Sequence, residues 1–162
     1  MPLGDSNKPI NKSTGFTLLE LMIIIAVMGI LSAIAIPAFT SMLPGMRLNG
    51  AARTVMGDLM AARMKAVKLN QKTKVFFDND HQYRICNDAN NDGTVDDGEG
   101  NEESRDIQNE YHSVTLDKTG YNDPVFQPRG TASIIFITLT NSEGTQKKVK
   151  VHLTGRIKIE NV

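Results

Sequence analysis

Residues 16–36 form an almost wholly apolar run that carries one charge, Glu20, close to its start. At about 1.5 Å per helical residue the run spans roughly 30 Å, one bilayer core. A carboxylate at the bilayer centre costs roughly 2.5–3.5 kcal/mol on insertion scales and less near the interface, so a lone one usually has a partner and a purpose. The run is therefore expected to be a transmembrane helix with a functional glutamate. The plainer alternative is a single-span anchor with a chance acid.

A secretory signal peptide places its cleavage site after the apolar run, behind small residues. Here a short polar leader precedes the run and ends in Gly15, followed by Phe16. Leader, Gly15, Phe16, Glu20 and apolar run together resemble a type IV prepilin. The resemblance implies cleavage after Gly15 by prepilin peptidase, N-methylation of Phe16 and a role for Glu20 in assembly. Lys8 and Lys12 flank the span on its N-terminal side and the polar bulk follows it. The positive-inside tendency then leaves the leader in the cytoplasm and exports the rest. The expected location is the bacterial inner membrane, single-pass, with the C-terminal domain in the periplasm or an extracytoplasmic filament.

The 162 residues suffice for one anchored domain. The whole chain holds 18 basic and 18 acidic residues; loss of Asp5, Lys8 and Lys12 with the leader leaves 16 against 17. That balance exerts no global pull on nucleic acid, so any such binding needs a local patch. Cys86 is the only cysteine, which excludes an internal disulfide. An exported domain here relies on its core and, if one binds, on a metal.

Pro37 and Pro44 each remove a helical hydrogen bond, and a kink or local melting is expected between them. Helical periodicity then resumes: Leu48, Ala52, Val55, Leu59, Ala62, Ala66 and Leu69 recur every three or four residues. Met56, Met60 and Met64 widen that stripe and read as core packing against a sheet. Between Arg47 and Lys74 seven basic residues face Asp58 alone, a pattern that reads as a solvated face. Beyond residue 72 the pattern becomes strands, at 73–77, 82–86, 113–116, 133–140 and 147–154. The turns 78–81 and 141–144 make two of these pairs hairpins. After Gly155 a short strand at 156–160 is expected to continue past a bulge. The expected fold is α+β: a leader over 1–15, a transmembrane helix over 16–36, its continuation over 37–72, and a β-rich globular domain over 73–162. The long helix, first half transmembrane, is expected to pack on antiparallel β-sheet.

Phe126-Gln127-Pro128-Arg129-Gly130 and Leu153-Thr154-Gly155-Arg156-Ile157-Lys158 resemble the C-terminal domain of the type II secretion pseudopilin H and FimT-type minor pilins. The resemblance implies a pilin-like fold and a minor structural subunit of a type II secretion pseudopilus or a type IV pilus. Its implied partners are prepilin peptidase, other pilin or pseudopilin subunits, the inner-membrane assembly platform and membrane lipid. The acidic stretch 88–99 is not a general mark of that family.

That stretch matches the calcium-loop pattern D-x-[DN]-x-[DN]-G-x5-E at every specified position. Calcium takes roughly six to eight oxygens, which alternate residues here can supply. Asp88, Asn90 and Asp92 would donate side-chain oxygens and Thr94 its carbonyl. Asp96 would act directly or through water, and Glu99 would be bidentate. Gly93 permits the turn and Val95 points inward. A strand precedes the loop and no amphipathic helix follows, so a structural Ca2+ that stiffens a loop is expected rather than a sensor. The alternative is a solvated acidic turn.

No enzyme is assembled from the remaining residues. His81, His112 and His152 lack metal-ligand spacing, and Ser133 with His152 has no acid or oxyanion motif beside it. Cys86 ends an apolar strand, where a buried small hydrophobe belongs. Two functional classes stay open. One is the structural subunit. The other is a DNA-binding minor pilin acting in DNA uptake, since some FimT-type relatives bind DNA through a basic C-terminal region. From Arg129 onwards six basic residues stand against Glu143 and Glu160, and Gly155-Arg156-Ile157-Lys158 partly resembles that region. Arg156 and Lys158 are its candidate nucleic-acid contacts. The alternation of Lys148 and Lys150 with Val149 and Val151 is also what any half-exposed strand shows.

Overall fold

The computed structural model describes residues 15–100, 103–119 and 122–162, so the leader expected over 1–15 lies outside the described residues except for Gly15. One helix, α1 (Leu18–Leu69), opens the chain. Residues up to Thr40 belong to one compact unit and Ser41–Val162 form a second. The helix assignment runs on through Pro37 and Pro44, so the local melting expected there is not observed. Each proline forfeits one backbone bond, and the Thr40 hydroxyl donates to the Pro37 carbonyl at 3.0 Å.

In the second unit α1 supplies Leu48, Ala51, Ala52, Val55, Leu59, Ala62 and Ala66 to the core. Alanine at four of these seven positions lets the sheets come close to the helix backbone. Leu69, Met60 and Met64 do not join the core: they are 42%, 38% and 66% exposed, against the expectation for that stripe. Met60 and Met64 each follow Leu59 or Arg63 by one position, about 100° around a helix from the residue before. Leu69 is the last helical residue. Asn70 there takes a positive φ of 53°, and the amides of Asn70 and Gln71 bond back to the Val67 and Ala66 carbonyls. This is a Schellman stop with asparagine in the left-handed position.

Eight strands follow among the described residues. β1 (Thr73–Phe77), β2 (Gln82–Asn87), β3 (Glu103–Asp106), β4 (Thr115–Thr119), β5 (Val125–Phe126), β6 (Ile135–Thr140), β7 (Gln146–Val151) and β8 (Ile157–Asn161) build two four-stranded sheets. Their orders are β3-β2-β1-β5 and β4-β6-β7-β8, and all pairs are antiparallel. One core unites α1 with both sheets, among others through Val75, Tyr83, Phe126, Ile137 and Val149. Both expected hairpins form. The Asn79 side-chain oxygen accepts from the amides of His81 and Gln82 in the first turn, and Asn141 from Glu143 and Thr145 in the second.

Three features depart from the expected strands. The strand expected over 113–116 lies further on, as β4, because Ser113 takes a left-handed φ of 66°. β3 and β5 were unforeseen. The first is charged throughout except Ser104 and lies at a sheet edge, where charges discourage further pairing. At Gly155 the chain does not continue past a bulge but reverses, and β8 pairs antiparallel with β7. His152 and Arg156 close that turn, with the Arg156 carbonyl accepting from the His152 amide at 2.9 Å.

The reversal brings two distant glycines against the helix. The Arg63 guanidinium donates through Nε to the Gly130 carbonyl at 2.8 Å, and the Ala132 amide donates to the Leu153 carbonyl at 3.0 Å. A methyl group on Gly155 would stand 1.9 Å from the Gly130 oxygen and 2.6 Å from Arg63 Nε, and its φ is +72°. Only glycine fits this meeting of turns. A second tie joins α1 to the first sheet. Asp58 accepts from the Tyr83 hydroxyl at 2.5 Å and from Arg105 Nε at 2.9 Å. Burial, then the Asp58 carboxylate, pushes the Tyr83 phenol well above its usual range, and Asp58 raises Arg105.

Candidate functional site

At the start of the described chain Gly15, Phe16 and Thr17 precede the helix. Thr17 caps it: the Glu20 amide donates to the Thr17 hydroxyl at 3.2 Å, and the Leu21 amide to the Thr17 carbonyl at 3.1 Å. Glu20 lies in the first helical turn, where a carboxylate faces the positive end of the helix dipole. From Phe16 (77% exposed) to Phe39 (63%) every large apolar side chain is exposed. Soluble monomers rarely show a continuous apolar surface of that extent; it marks a membrane or partner surface. By length and composition α1 is able to cross a membrane.

The acidic stretch 88–99 leaves the end of β2 as a compact loop. Its root is tied down: the Asp88 amide donates to the Lys72 carbonyl at 2.9 Å, and the Asn87 side-chain amide to Gln71 at 2.8 Å. Inside the loop the Gly93 amide donates to Asp88 Oδ2 at 3.0 Å and the Asp92 amide to Asn90 Oδ1 at 2.9 Å. Both the amide and the hydroxyl of Thr94 donate to Asp92 Oδ1, at 2.8 and 2.6 Å. Glu99 folds back over the loop, one oxygen accepting from Asn90 N and the other from Asp96 N, both at 3.0 Å. These donors hold the Asp92 and Glu99 carboxyls below the usual carboxylate range, led by the Thr94 hydroxyl and the Asn90 amide respectively. Val95 is buried, as expected, and β3 rather than a helix comes next. Among the described residues no three His, Cys, Asp or Glu side chains converge as a ready-made metal group.

Arg156 is exposed at the last turn, two residues before the half-buried Lys158. Lys158 stands opposite Lys150 on β7, and Lys150 lies over the Phe136 ring at 5.0 Å. Lys148 faces Glu160, which cancels part of the basic excess. The lysines on these strands alternate with buried Val149, Val151 and Ile157, the plain strand pattern. Ser133 is occupied structurally, its hydroxyl accepting from the Val125 amide at 3.0 Å, and Cys86 is fully buried.

The sequence reading missed the Arg63–Gly130–Gly155 junction and the Asp58–Arg105–Tyr83 network. A signal for the second existed: Asp58 is the single acid among seven basic residues between Arg47 and Lys74. Of those seven, Arg63, Lys65 and Lys72 also bond within the domain, so the segment is only partly the solvated face expected of it.

Comparison with known proteins places these features. Residues 51–155 match the family described as type II transport protein GspH, and residues 10–36 match the prokaryotic N-terminal methylation motif. The pilin-like protein PilA1 of Thermus thermophilus is 30% identical over 154 residues, covering 90% of this chain and 97% of that protein. The minor pseudopilin EpsH from the Type 2 Secretion System of Vibrio cholerae shares the fold, with a TM-score of 0.54 at 10% identity over 71% of this chain and 97% of that one. The type IV minor pilin FimU of Pseudomonas aeruginosa does so with a TM-score of 0.55 at 17% identity, over 70% and 87%. A methylation motif at the head of an exposed apolar helix, followed by a matching globular domain, is a pilin-type organisation. The chain belongs to the GspH family and is a minor pseudopilin or minor pilin.

Proposed function

We propose that this subunit is cut between Gly15 and Phe16 by a prepilin peptidase and methylated on Phe16. α1 then holds it in the bacterial inner membrane, its globular domain on the far side from the cytoplasm, until it enters a filament. During entry Glu20 pairs with the N-terminal amine of Phe16 in an adjacent subunit. The observation that carries this reading is the continuous exposed apolar surface of α1 with one carboxylate in its first turn. In lipid a lone carboxylate is relieved when a cation lies close. Prepilin processing is shared by both machines, so secretion and pilus biogenesis are alternative destinations for the same subunit. DNA uptake gains no support from the basic residues of β7 and β8, which follow ordinary strand alternation.

The test uses two variants in a host that carries the assembly machinery. Mass spectrometry of Gly15→Val should find the leader retained, because a side chain obstructs a peptidase site shaped for close backbone approach. Glu20→Ala should insert and be processed normally yet crosslink less to neighbouring subunits. A mature N-terminus at Phe16 in the first variant, or undiminished crosslinking in the second, overturns the corresponding step. Titration of labelled DNA against the purified chain tests the second class directly.

A further inference from the structure

The loop 88–99 holds an unresolved electrostatic problem at its root. Asp88 is 4% exposed, and its Oδ1 is buried with no hydrogen-bond partner. Its other oxygen accepts from the Gly93 amide, five residues further along the same loop, which ties the carboxylate to the turn. A buried carboxylate oxygen without a donor or cation is strongly disfavoured.

The surroundings specify which cation would answer it. Asp88, Asp92, Asp96 and Glu99 bring four carboxylates to one short loop. The ammonium of Lys72, which donates to the Gly93 carbonyl, supplies a single positive charge. The other donors are oxygen too: the Asn90 amide and the Thr94 carbonyl. There is no thiolate or imidazole among them, which disfavours zinc or copper and suits a hard cation. The amide bonds that shape the turn engage only part of the capacity of these oxygens, since each carries two lone pairs. Magnesium demands near-ideal octahedral geometry, whereas an irregular set of oxygens suits calcium.

We propose that this loop is a calcium site, with Asp88 as its buried anchor and Glu99 as its closing ligand. Calcium takes the orphaned Asp88 oxygen, and Glu99 exchanges its bonds to the Asn90 and Asp96 amides for the ion. Closure is thus part of binding. Because the loop is bonded at its root to residues 71 and 72, just past α1, the ion stiffens the corner where the helix feeds the first sheet.

The experiment is thermal melting and calorimetric titration of the full chain in detergent, with calcium, magnesium or chelator. Loops of this class outside the cell bind at about 0.1–1 mM. A tenfold excess over Kd should raise Tm by about 4–8 °C. Asp88→Asn keeps an acceptor for the Gly93 amide, and Glu99→Gln keeps one for the loop amides. Each should abolish the calcium-dependent rise or weaken affinity at least tenfold, since changing even a partner one bond away from a metal ligand costs roughly 10–100-fold. Asp97→Asn, whose parent carboxylate pairs with Arg84 instead, should leave affinity within about twofold. No heat and no Tm rise in the unmodified chain at 10 mM calcium, about tenfold above that range, overturns the proposal. So does an equal rise with magnesium, or a rise unchanged in Glu99→Gln.

Discussion

The two ends of α1 use the same residue types to opposite effect. Up to Phe39 the leucines, isoleucines and methionines are all exposed, whereas from Leu48 to Ala66 a stripe of the helix is buried at 2% exposure or less. The later segment interleaves its apolar stripe with Asp58, Arg63 and Lys65, each of which finds a partner on the sheets or turns. Past Glu20 the earlier one carries no charge and is apolar on every side. A helix that is hydrophobic on every side belongs inside something, and here that something is supplied by lipid or by other subunits. The comparison separates apolar residues that hold the domain together from apolar residues that hold the subunit in its assembly.

The sharpest way to break that distinction is one substitution in each region. Leu59→Ala removes a side chain that is 2% exposed and should cost about 2–5 kcal/mol of domain stability in denaturant melts. Leu31→Ala, at 61% exposure, should change stability by less than about 0.5 kcal/mol while lowering recovery in assembled filaments. Equal destabilisation by the two would erase the distinction.

A second contrast lies between two turn glycines. Gly144 has φ of +78° with nothing near a built methyl group, whereas Gly155 has nearly the same φ and the Gly130 oxygen at 1.9 Å. Gly144→Ala therefore measures backbone strain alone, about 1 kcal/mol. Gly155→Ala adds the collision and should cost about 1–3 kcal/mol more. Similar losses at both would mean that the Arg63 junction shifts at little cost.

How far the sequence revealed all this depended on the kind of signal. The helix, the two hairpins and the buried face from Leu48 to Ala66 follow from hydrophobic period and turn chemistry, which are local. β3 is not legible that way, since Glu103, Ser104, Arg105 and Asp106 have no apolar alternation and become a strand only because β2 offers an edge. The positions of Met60 and Met64 depended on which side of α1 the sheets cover, a tertiary fact. The N-terminal methylation motif matched over residues 10–36 was readable from residue order alone. The meeting of Gly130 with Gly155 was not, because residues 25 apart in sequence share it only after the β7–β8 reversal.

Acid provides the smallest test, and it acts on the globular side of the comparison. Arg84 holds the Asp78 carboxyl below its ordinary 3.8, chiefly by hydrogen bonds of 2.7 and 2.6 Å. The Gln82 side-chain amide, first among several donors, does the same for Asp106. A carboxyl whose pKa is lower folded than unfolded contributes stability that is complete above the unfolded value and lost as pH falls through the folded one. Denaturant melts in chelator should thus be level from pH 7 to about 5 and fall below about 4. Arg84→Gln removes the first cause of the Asp78 depression, so this variant should lose less between pH 5 and pH 3 than the parent. The difference should be about 0.5–1 kcal/mol, the size of a well-aligned but partly exposed pair. An identical acid limb in both proteins would show that the Arg84–Asp78 pair adds nothing in solution. It would leave the apolar core to account for the stability of the domain.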